Sequence, residues 1–235
     1  MLALIDSDLL VYRVGFTTED VDEGITKARI RETVKNMLEA VQATEFKMYL
    51  TADDDPTAFR KRIYPEYKAH RIQPKPKHYK FIRDHLQEHY DAEVCTEIEA
   101  DDGLAIHQMQ YLGQNKTVIC SVDKDLKQIP GRHYNFVKDL EDIVEPLEGI
   151  RYFYTQLLTG DSADNIKGVW KVGPVKAAAI LAGADTEQEM FNRVREAYSN
   201  DEEMLMNGRC LWIWKQPNDD WKNHWDELSQ ESQDS

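Results

Sequence analysis

Short apolar runs alternate with amphipathic stretches along the first 140 residues. The runs are rich in β-branched and aromatic residues, and they predict strands at 2–5, 46–50, 93–96, 117–120 and 133–137. Helices are predicted at 26–43 and 100–112, where apolar residues recur at helical spacing: Ile30, Val34, Met37, Leu38 and Val41, then Leu104, Ala105, Met109 and Leu112. This alternation predicts an α/β fold, with a mainly parallel sheet flanked by helices on both faces.

The pattern changes after this α/β domain, which we place at 1–149. Residues 150–183 predict a small appendage of helix, Gly-rich turn and helix, with apolar contacts from Val169, Trp170, Val172, Ala177, Ile180 and Leu181. Residues 184–225 contain most of the tryptophans, Trp212, Trp214, Trp221 and Trp225. We expect these to pack on the core, with base stacking as the alternative. The polar end, 226–235, is expected to be frayed or disordered.

Acidic residues follow four successive predicted strands. Asp6 follows the first strand, Asp53 the second, Glu97 and Glu99 the third, and Asp123 the fourth. Acids at one strand end are typical of a turn. The carboxyl ends of parallel strands share one edge of a sheet, which is where α/β proteins place their sites. Acids at four strand ends therefore predict a functional site at that edge.

Nine acids make up this predicted site: Asp6, Asp53, Glu99, Asp101, Asp102, Asp123, Asp125, Asp161 and Asp164. Like charges about 4 Å apart repel by roughly 4 kcal/mol at an effective dielectric constant near 20, so such a cluster needs cations. All-oxygen ligands favour Mg²⁺ or Mn²⁺. Two such ions can activate water and stabilise the leaving oxygen of a phosphodiester. For Asp101 and Asp102 alone, an acidic first turn of a helix is the alternative.

The net charge of -14 argues at first against a nucleic-acid partner. The charge is unevenly distributed, because residues 60–83 hold one acid, Glu66, and nine bases: Arg60, Lys61, Arg62, Lys68, Arg71, Lys75, Lys77, Lys80 and Arg83. A solvated face is the ordinary reading of such a run. Two tyrosines inside it, Tyr64 and Tyr67, favour a surface for phosphates and bases. Lys68 is the candidate for holding the scissile phosphate, with Arg71 one turn on.

A Gly-rich segment from Gly168 to Lys176 predicts a second contact with nucleic acid. Gly173 allows close backbone approach, and Pro174 suits the first turn of a helix. The free N–H groups at that turn can bind a phosphate, with Lys176 alongside. The segment is typical of the helix–hairpin–helix class, which holds the duplex backbone without reading sequence.

Together, these motifs resemble the flap endonuclease / 5′→3′ exonuclease family over about residues 1–183. The resemblance rests on LALIDSDLLVYR with Asp6, on Asp53 before FRKRIYPEYKAHR, and on EADD, SVDKD and GDSADNIKGVWKVG in the family's order. It implies a PIN-like 5′-nuclease fold with a helix–three-turn–helix appendage. It also implies a structure-specific 5′ nuclease with a role in replication, acting as a monomer on DNA with 5′ ends, flaps or nicks, or on RNA–DNA hybrids.

The resemblance also implies roles for individual residues. Asp6, Asp53, Glu99 and Asp101 would hold a first Mg²⁺ or Mn²⁺ ion. Asp101, Asp123, Asp125 and Asp161 would hold a second, with Asp102 and Asp164 in the outer shell. Lys68 and Arg71 would steer the scissile phosphate, and Gly168 to Lys176 would also bind K⁺. The predicted DNA contacts are Arg13, Arg60, Arg62, Tyr67, Lys75, Lys77, Gly168, Val172, Gly173 and Lys176.

The sequence departs from the family pattern in three places. Only 30 residues separate Lys68 from Glu99. This resembles a shortened arch region around 60–90, so we do not expect a closed arch that threads a free 5′ end. Asp8 stands where the family usually has a small or polar neutral residue, and its role is open. The last 50 residues have no counterpart that we can place.

Two other functions are considered. A haloacid-dehalogenase-type phosphatase would use Asp6-Ser-Asp8, but it leaves EADD, SVDKD and the basic run without a role. Such an enzyme would lose all activity in Asp8→Asn, whereas a nuclease should keep much of it. The other alternative is a DNA-binding module without cleavage. The three cysteines match no metal-site spacing, and neither a signal peptide nor a membrane span is evident. We therefore expect a cytoplasmic protein, in the host cytoplasm if a phage encodes it.

Overall fold

A six-stranded sheet in the order β3-β2-β1-β4-β5-β6 organises the first part of the computed structural model, which describes residues 1–71 and 74–234. The strands are β1 (Leu2–Asp6), β2 (Glu45–Thr51), β3 (Glu93–Cys95), β4 (Thr117–Cys120), β5 (Gly131–Asn135) and β6 (Leu140–Val144). A separate hairpin consists of β7 (Gly160–Asp161) and β8 (Ile166–Lys167). The first five strands pair in parallel, which confirms the predicted mainly parallel sheet.

The sixth strand was not predicted. β6 runs antiparallel to β5 at the edge of the sheet. Most of its residues are exposed, including Leu140 and Ile143. Because it buries neither face well, it lacks the apolar run that identifies the inner strands.

Ten helices surround the sheets within the described residues. They are α1 (Ser7–Thr17), α2 (Glu23–Ala40), α3 (Phe59–Ile63), α4 (Tyr79–Tyr90), α5 (Ala100–Gln110), α6 (Pro146–Thr159), α7 (Pro174–Ile180), α8 (Glu187–Ala197), α9 (Asp201–Leu211) and α10 (Trp221–Asp234). None of these helices has the length and apolar content that a membrane span requires.

The central strand β1 packs on both faces. Ala3 and Ile5 join one apolar cluster with residues of α1, α2 and α4, whereas Leu4 joins a second cluster with residues of α5. Successive side chains of a strand point to opposite faces, so a strand that is buried on both sides is apolar throughout. The placement of helices on both faces is therefore as predicted.

A third cluster forms around α6 and the C-terminal helices. The Phe153 ring lies 4.9 Å from that of Trp212 and 5.2 Å from that of Trp221, measured between centroids. All four C-terminal tryptophans are buried, so packing accounts for them and base stacking does not. The polar end is helical as far as Asp234, where α10 ends, and fraying of this helix stays a prediction. Ser235 lies outside the described residues.

The appendage contains the β7–β8 hairpin between its two helices. Gly160 and Gly168 approach so closely that a Cβ on Gly168 would lie 2.3 Å from the Gly160 nitrogen, which requires glycine there. Trp170, predicted as an apolar contact, is instead 84% exposed. Leu112, placed on the apolar stripe of α5, lies beyond the end of that helix and is also exposed.

Candidate active site

Seven of the nine predicted acids line one cleft at the carboxyl edge of the sheet. The cleft has a volume of about 420 Å³, and its acidic wall is formed by Asp6, Asp53, Glu99, Asp101, Asp123, Asp125 and Asp164, with Asp8 added. Parallel pairing brings the strand ends together. The predicted convergence of the acids therefore agrees with the geometry for these seven.

Asp6, which is buried, and Asp101, which is half-buried, lie at the centre of the cleft. Asp6 accepts hydrogen bonds from Ser121 Oγ at 2.6 Å and from the Leu9 amide at 3.2 Å. Burial and the neighbouring charge of Asp8 nevertheless raise the pKa of Asp6 to about 7. Burial, Asp123 and Asp6 raise the pKa of Asp101 well above its usual range. These carboxylates destabilise one another, and an oxygen-binding divalent cation would relieve the repulsion.

A second acidic group surrounds Asp125. Burial and the adjacent Asp123 raise the pKa of Asp125 to about 7, although Gln156 Nε2 donates to its Oδ1 at 2.8 Å. Asp161 also contributes negative charge here, but its Oδ2 is bound by Lys124 Nζ at 2.7 Å. The side chain of Lys124 is mostly exposed, so it can leave without opening the core. Lys124 was not identified from the sequence, since it lies between two acids.

Lys68 and Arg71 lie on the cationic side of the cleft. Lys68 Nζ donates to Glu99 Oε1 at 2.6 Å, and Arg71 Nη2 donates to Asp164 Oδ1 at 2.7 Å. Burial raises the pKa of Glu99, but Lys68 and Arg60 outweigh it and lower the pKa to about 2. Both predicted cations thus reach the acids, at a place where they can meet a phosphate.

Tyr67 is a predicted DNA contact that the structure corrects. It is buried, and its hydroxyl donates to Glu99 Oε2 at 2.9 Å and to Asp164 Oδ2 at 3.0 Å. A phenol in this position cannot stack on a base. It fixes the two carboxylates relative to each other.

Arg60 and Asp102 form a buried ion pair. Asp102 is 0% exposed and Arg60 4%, and their two charge-assisted hydrogen bonds measure 2.6 and 2.8 Å. Arg60 also donates to the carbonyl oxygens of Cys210 and Trp212, at 2.9 and 2.6 Å. Arg60 is therefore too buried to be the predicted DNA contact, whereas the outer-shell role of Asp102, which also accepts from the Glu99 amide at 2.9 Å, stays a prediction. The pair ties α3 and α5 to the C-terminal segment, over sequence separations that no local pattern reveals.

Asp53 is held at the outer end of the cleft. Its Oδ1 accepts from Tyr79 Oη at 2.7 Å and from Lys75 Nζ at 3.2 Å, while Arg83 Nε lies 3.2 Å from its Oδ2. Lys75, a predicted DNA contact, therefore pairs with an acid of the cleft. Arg83 counted only as one charge of the basic run, and Tyr79 had no predicted role.

The remaining predicted DNA contacts lie outside the cleft. Arg62 is exposed, and Arg13 borders a separate groove beside Tyr134. Lys77 Nζ donates to the Glu19 carbonyl at 3.1 Å. Gly168, Val172 and Gly173 line a cavity of about 1110 Å³ beside the hairpin, and Lys176 is exposed on α7.

The region that would carry an arch is folded onto the domain. Ile82 and Leu86 of α4 are fully buried in the cluster shared with α1 and α2. Pro76 packs against Gly15, and His78 Nε2 pairs with the Val21 carbonyl at 3.0 Å. Within 74–90, apolar residues such as Ile82 and Leu86 therefore pack into the core.

Within the described residues, no three His, Cys, Asp or Glu side chains are arranged closely enough to hold a metal ion together. Basic residues occupy several of the carboxylate oxygens, notably Lys68, Lys124, Arg71 and Arg83. The donor chemistry nevertheless fits a hard cation. Three neighbouring carboxylates, Asp6, Asp101 and Asp123, repel one another, and basic side chains do not neutralise all of them. Their oxygen atoms are the ligands that hard cations prefer.

The described residues thus combine a mainly parallel sheet with acids along its carboxyl edge and cations on the rim. Residues 1–153 match the sequence model of the 5'-3' exonuclease, N-terminal resolvase-like domain. The chain belongs to this family.

Known relatives and a solved structure agree with this assignment. Flap endonuclease Xni of Shewanella baltica is 26% identical over 170 residues, which are 67% of this chain and 65% of the relative. DNA polymerase I of Rhizobium leguminosarum is 33% identical over 173 residues, which are 66% of this chain and 17% of the polymerase. The aligned region thus covers less than two thirds of either relative's length.

The similarity in structure extends over the whole described fold. The T5 D15 protein, co-crystallised with metal ions, superposes with a TM-score of 0.68 at 15% identity, over 99% of this chain and 97% of that one. This likeness confirms the predicted PIN-like fold.

Proposed function

We propose that the chain is a structure-specific 5′ nuclease that hydrolyses phosphodiester bonds of DNA. The observation that carries the proposal is the convergence of the mutually repelling Asp6, Asp101 and Asp123 in one cleft at the carboxyl edge of the sheet. Family membership and the names of the relatives, a flap endonuclease and a DNA polymerase, support the same activity.

The residues divide into ligands and substrate-handling groups. Asp6, Asp53, Glu99 and Asp101 would hold one Mg²⁺ or Mn²⁺ ion, and Asp101, Asp123, Asp125 and Asp161 a second. When bound, such ions stabilise charge on the phosphate and the leaving oxygen and make water a better nucleophile. Ser121 orients Asp6, Gln156 orients Asp125, and Tyr67 orients Glu99 through the hydrogen bonds described above.

Lys68 and Arg71 would handle the scissile phosphate. In the structure each pairs with an acid, and release from that acid lets its charge turn to the substrate. The positive charges of Lys68 and Arg71 would then compensate the negative charge that develops at the phosphate in the transition state. Tyr67 Oη lies within hydrogen-bond distance of both Glu99 and Asp164, so it would hold these two carboxylates near each other when Lys68 and Arg71 turn to the substrate.

Outside the cleft, the DNA partner would bind through α7 and the exposed basic side chain of Arg62. The N-terminal turn of α7, with Gly173 and Lys176, offers N–H groups and a positive charge to a backbone phosphate. We infer that the substrate is a DNA duplex with a 5′ end, a flap or a nick, or an RNA–DNA hybrid. We also infer that the protein acts as a monomer, in replication. K⁺ near Gly168 to Lys176 and a cytoplasmic location belong to the same proposal.

The decisive experiment is incubation of 5′-labelled flap, nicked and blunt DNA with Mg²⁺. We expect cleavage that EDTA stops, and Asp123→Asn should abolish cleavage while DNA binding survives. Asp84→Asn, which removes an acid from a surface pair on α4, is the matched control and should cut normally. Normal cutting by Asp123→Asn would refute the metal assignment, and DNA binding without any cut by the unaltered chain would favour the non-catalytic module.

The phosphatase alternative is disfavoured by the family match over residues 1–153. The contacts of Asp8 do not decide the question. Its Oδ2 accepts from the Thr51 amide at 3.0 Å and Arg83 Nη1 lies 3.1 Å from its Oδ1, but burial outweighs these contacts and raises the pKa of Asp8. Hydrolysis of a small phosphomonoester that Asp8→Asn abolishes would reverse this conclusion.

A further inference from the structure

Arg83 of α4 is a nearly buried cation inserted between two carboxylates of the cleft. Its side chain is 7% exposed. Nη1 lies 3.1 Å from Asp8 Oδ1, and Nε lies 3.2 Å from Asp53 Oδ2. Nη2 donates to the Thr51 carbonyl at 2.6 Å, which fixes the plane of the guanidinium. One side chain thus joins the acid of the first turn of α1 to the acid that follows β2.

The two carboxylates differ in what else holds them. Asp53 has two further partners, Lys75 and Tyr79, and its side chain is 44% exposed. Asp8 is less exposed, and besides Arg83 its hydrogen-bond partners are the amide and the side chain of Thr51, which carry no charge. Without Arg83, Asp53 would still be paired with Lys75, whereas Asp8 would face the cleft without an ion-pair partner.

A freed Asp8 would compete with the other acids of the cleft for a divalent ion. It lines the same cleft as Asp6 and Asp101, and its oxygens suit the same hard cations. A lysine could neutralise one carboxylate at a time, but the planar guanidinium presents donors to both acids and to a carbonyl. Arginine at this position therefore sets which acids are available.

We propose that Arg83 is a positioning residue that withholds Asp8 from the divalent ions and orients Asp53 towards them. The inference rests on the proposed function, because it assumes that the cleft binds such ions. It gives a role to Asp8, the acid for which the sequence offered none. It also explains why a cation of the basic run lies buried instead of facing DNA.

The test is Arg83→Gln, measured by calorimetric titration with Mn²⁺ and by kinetics on 5′-flap DNA. Release of Asp8 should tighten Mn²⁺ binding several-fold while kcat falls by about 10–100-fold, the usual cost of losing a residue that orients a ligand. The KM for DNA should change much less. Adding Asp8→Asn removes the freed carboxylate, so Mn²⁺ affinity should return to the original value and the part of the kcat loss caused by Asp8 should recover. The part that remains measures the lost orientation of Asp53.

Lys80→Gln is the matched control. It removes the same charge from the same helix, at a side chain that is 87% exposed and pairs with Asp84. Both Mn²⁺ affinity and kcat should stay unchanged. Arg83→Lys keeps the charge but can hold only one acid, so it should give intermediate values and serves if Arg83→Gln does not fold.

An ordinary structural ion pair gives a different result. Mn²⁺ affinity, kcat and melting temperature would then fall together, and Asp8→Asn would restore none of them. That outcome overturns the proposal. Failure of the unaltered chain to cut any 5′ substrate would refute the proposed function instead. The Mn²⁺ titrations of Arg83→Gln, Arg83→Lys and the combination of Arg83→Gln with Asp8→Asn would still decide the role of Arg83.

Discussion

Asp125→Asn should stabilise the protein when divalent metal is removed, although it should destroy cleavage. Burial and Asp123 raise the pKa of Asp125 from 3.8 to about 7. A folded-state pKa above the unfolded value means that ionisation opposes folding. The penalty is absent below pH 4, grows between pH 4 and 7, and is complete above pH 7. Asparagine keeps the oxygen that accepts from Gln156 and has no charge to bury.

The size of the effect follows from the shift. Roughly three pKa units correspond to about 4 kcal/mol, an upper bound that movement of Lys124 and entry of water reduce to about 1–3 kcal/mol. For a chain of this size, that gain raises the melting temperature by roughly 2–10 °C.

The assay is thermal unfolding in EDTA at pH 8 and at pH 5. The variant should melt above the unaltered protein at pH 8, and the difference should shrink at pH 5. Addition of Mg²⁺ at pH 8 should stabilise the unaltered protein more than the variant, because bound ligand stabilises only the form that binds it. A variant that melts lower in EDTA at pH 8, or by the same margin at both pH values, would refute the reasoning. Asp84→Asn again supplies the surface control.

Three further predictions concern other parts of the structure. Asp102→Ala leaves Arg60 buried without its partner, so the free energy of unfolding should fall by about 3–5 kcal/mol in urea titrations; a change under 1 kcal/mol would contradict the buried pair. Lys68→Ala should lower kcat more than it raises KM, since its charge acts on the transition state, and a pure loss of affinity in steady-state kinetics would argue against this role. Lys176→Ala should weaken DNA binding for all sequences alike and reduce the salt slope of log K by about 1; an unchanged slope in anisotropy titrations would remove α7 from the DNA surface.

Much of the fold could be predicted because it rests on local patterns. Fully buried strands such as β4 need apolar residues throughout, and α2 needs an apolar stripe, so both are evident in the sequence. β6 and α10 were missed for the same physical reason. The first is an exposed edge strand, and the second is a polar helix that packs through residues such as Trp221 and Trp225.

The residues that could carry the chemistry were evident from the order of residues along the chain. Acids placed directly after strands converge because parallel strands end at one edge, so Asp6, Asp101 and Asp123 were predictable without a structure. Lys68 and Arg71 were predictable as cations near them. These inferences need only chain order and the direction of the strands.

The partner of each charged side chain depends on the three-dimensional fold. Arg60 and Arg83 belong to the same basic run as Lys68, yet Arg60 binds Asp102 in the core and Arg83 joins Asp8 to Asp53. Charge type is written in the sequence, but burial and partner depend on contacts between residues tens of positions apart. A buried ion pair and a surface for phosphate use the same amino acids, and packing alone separates them.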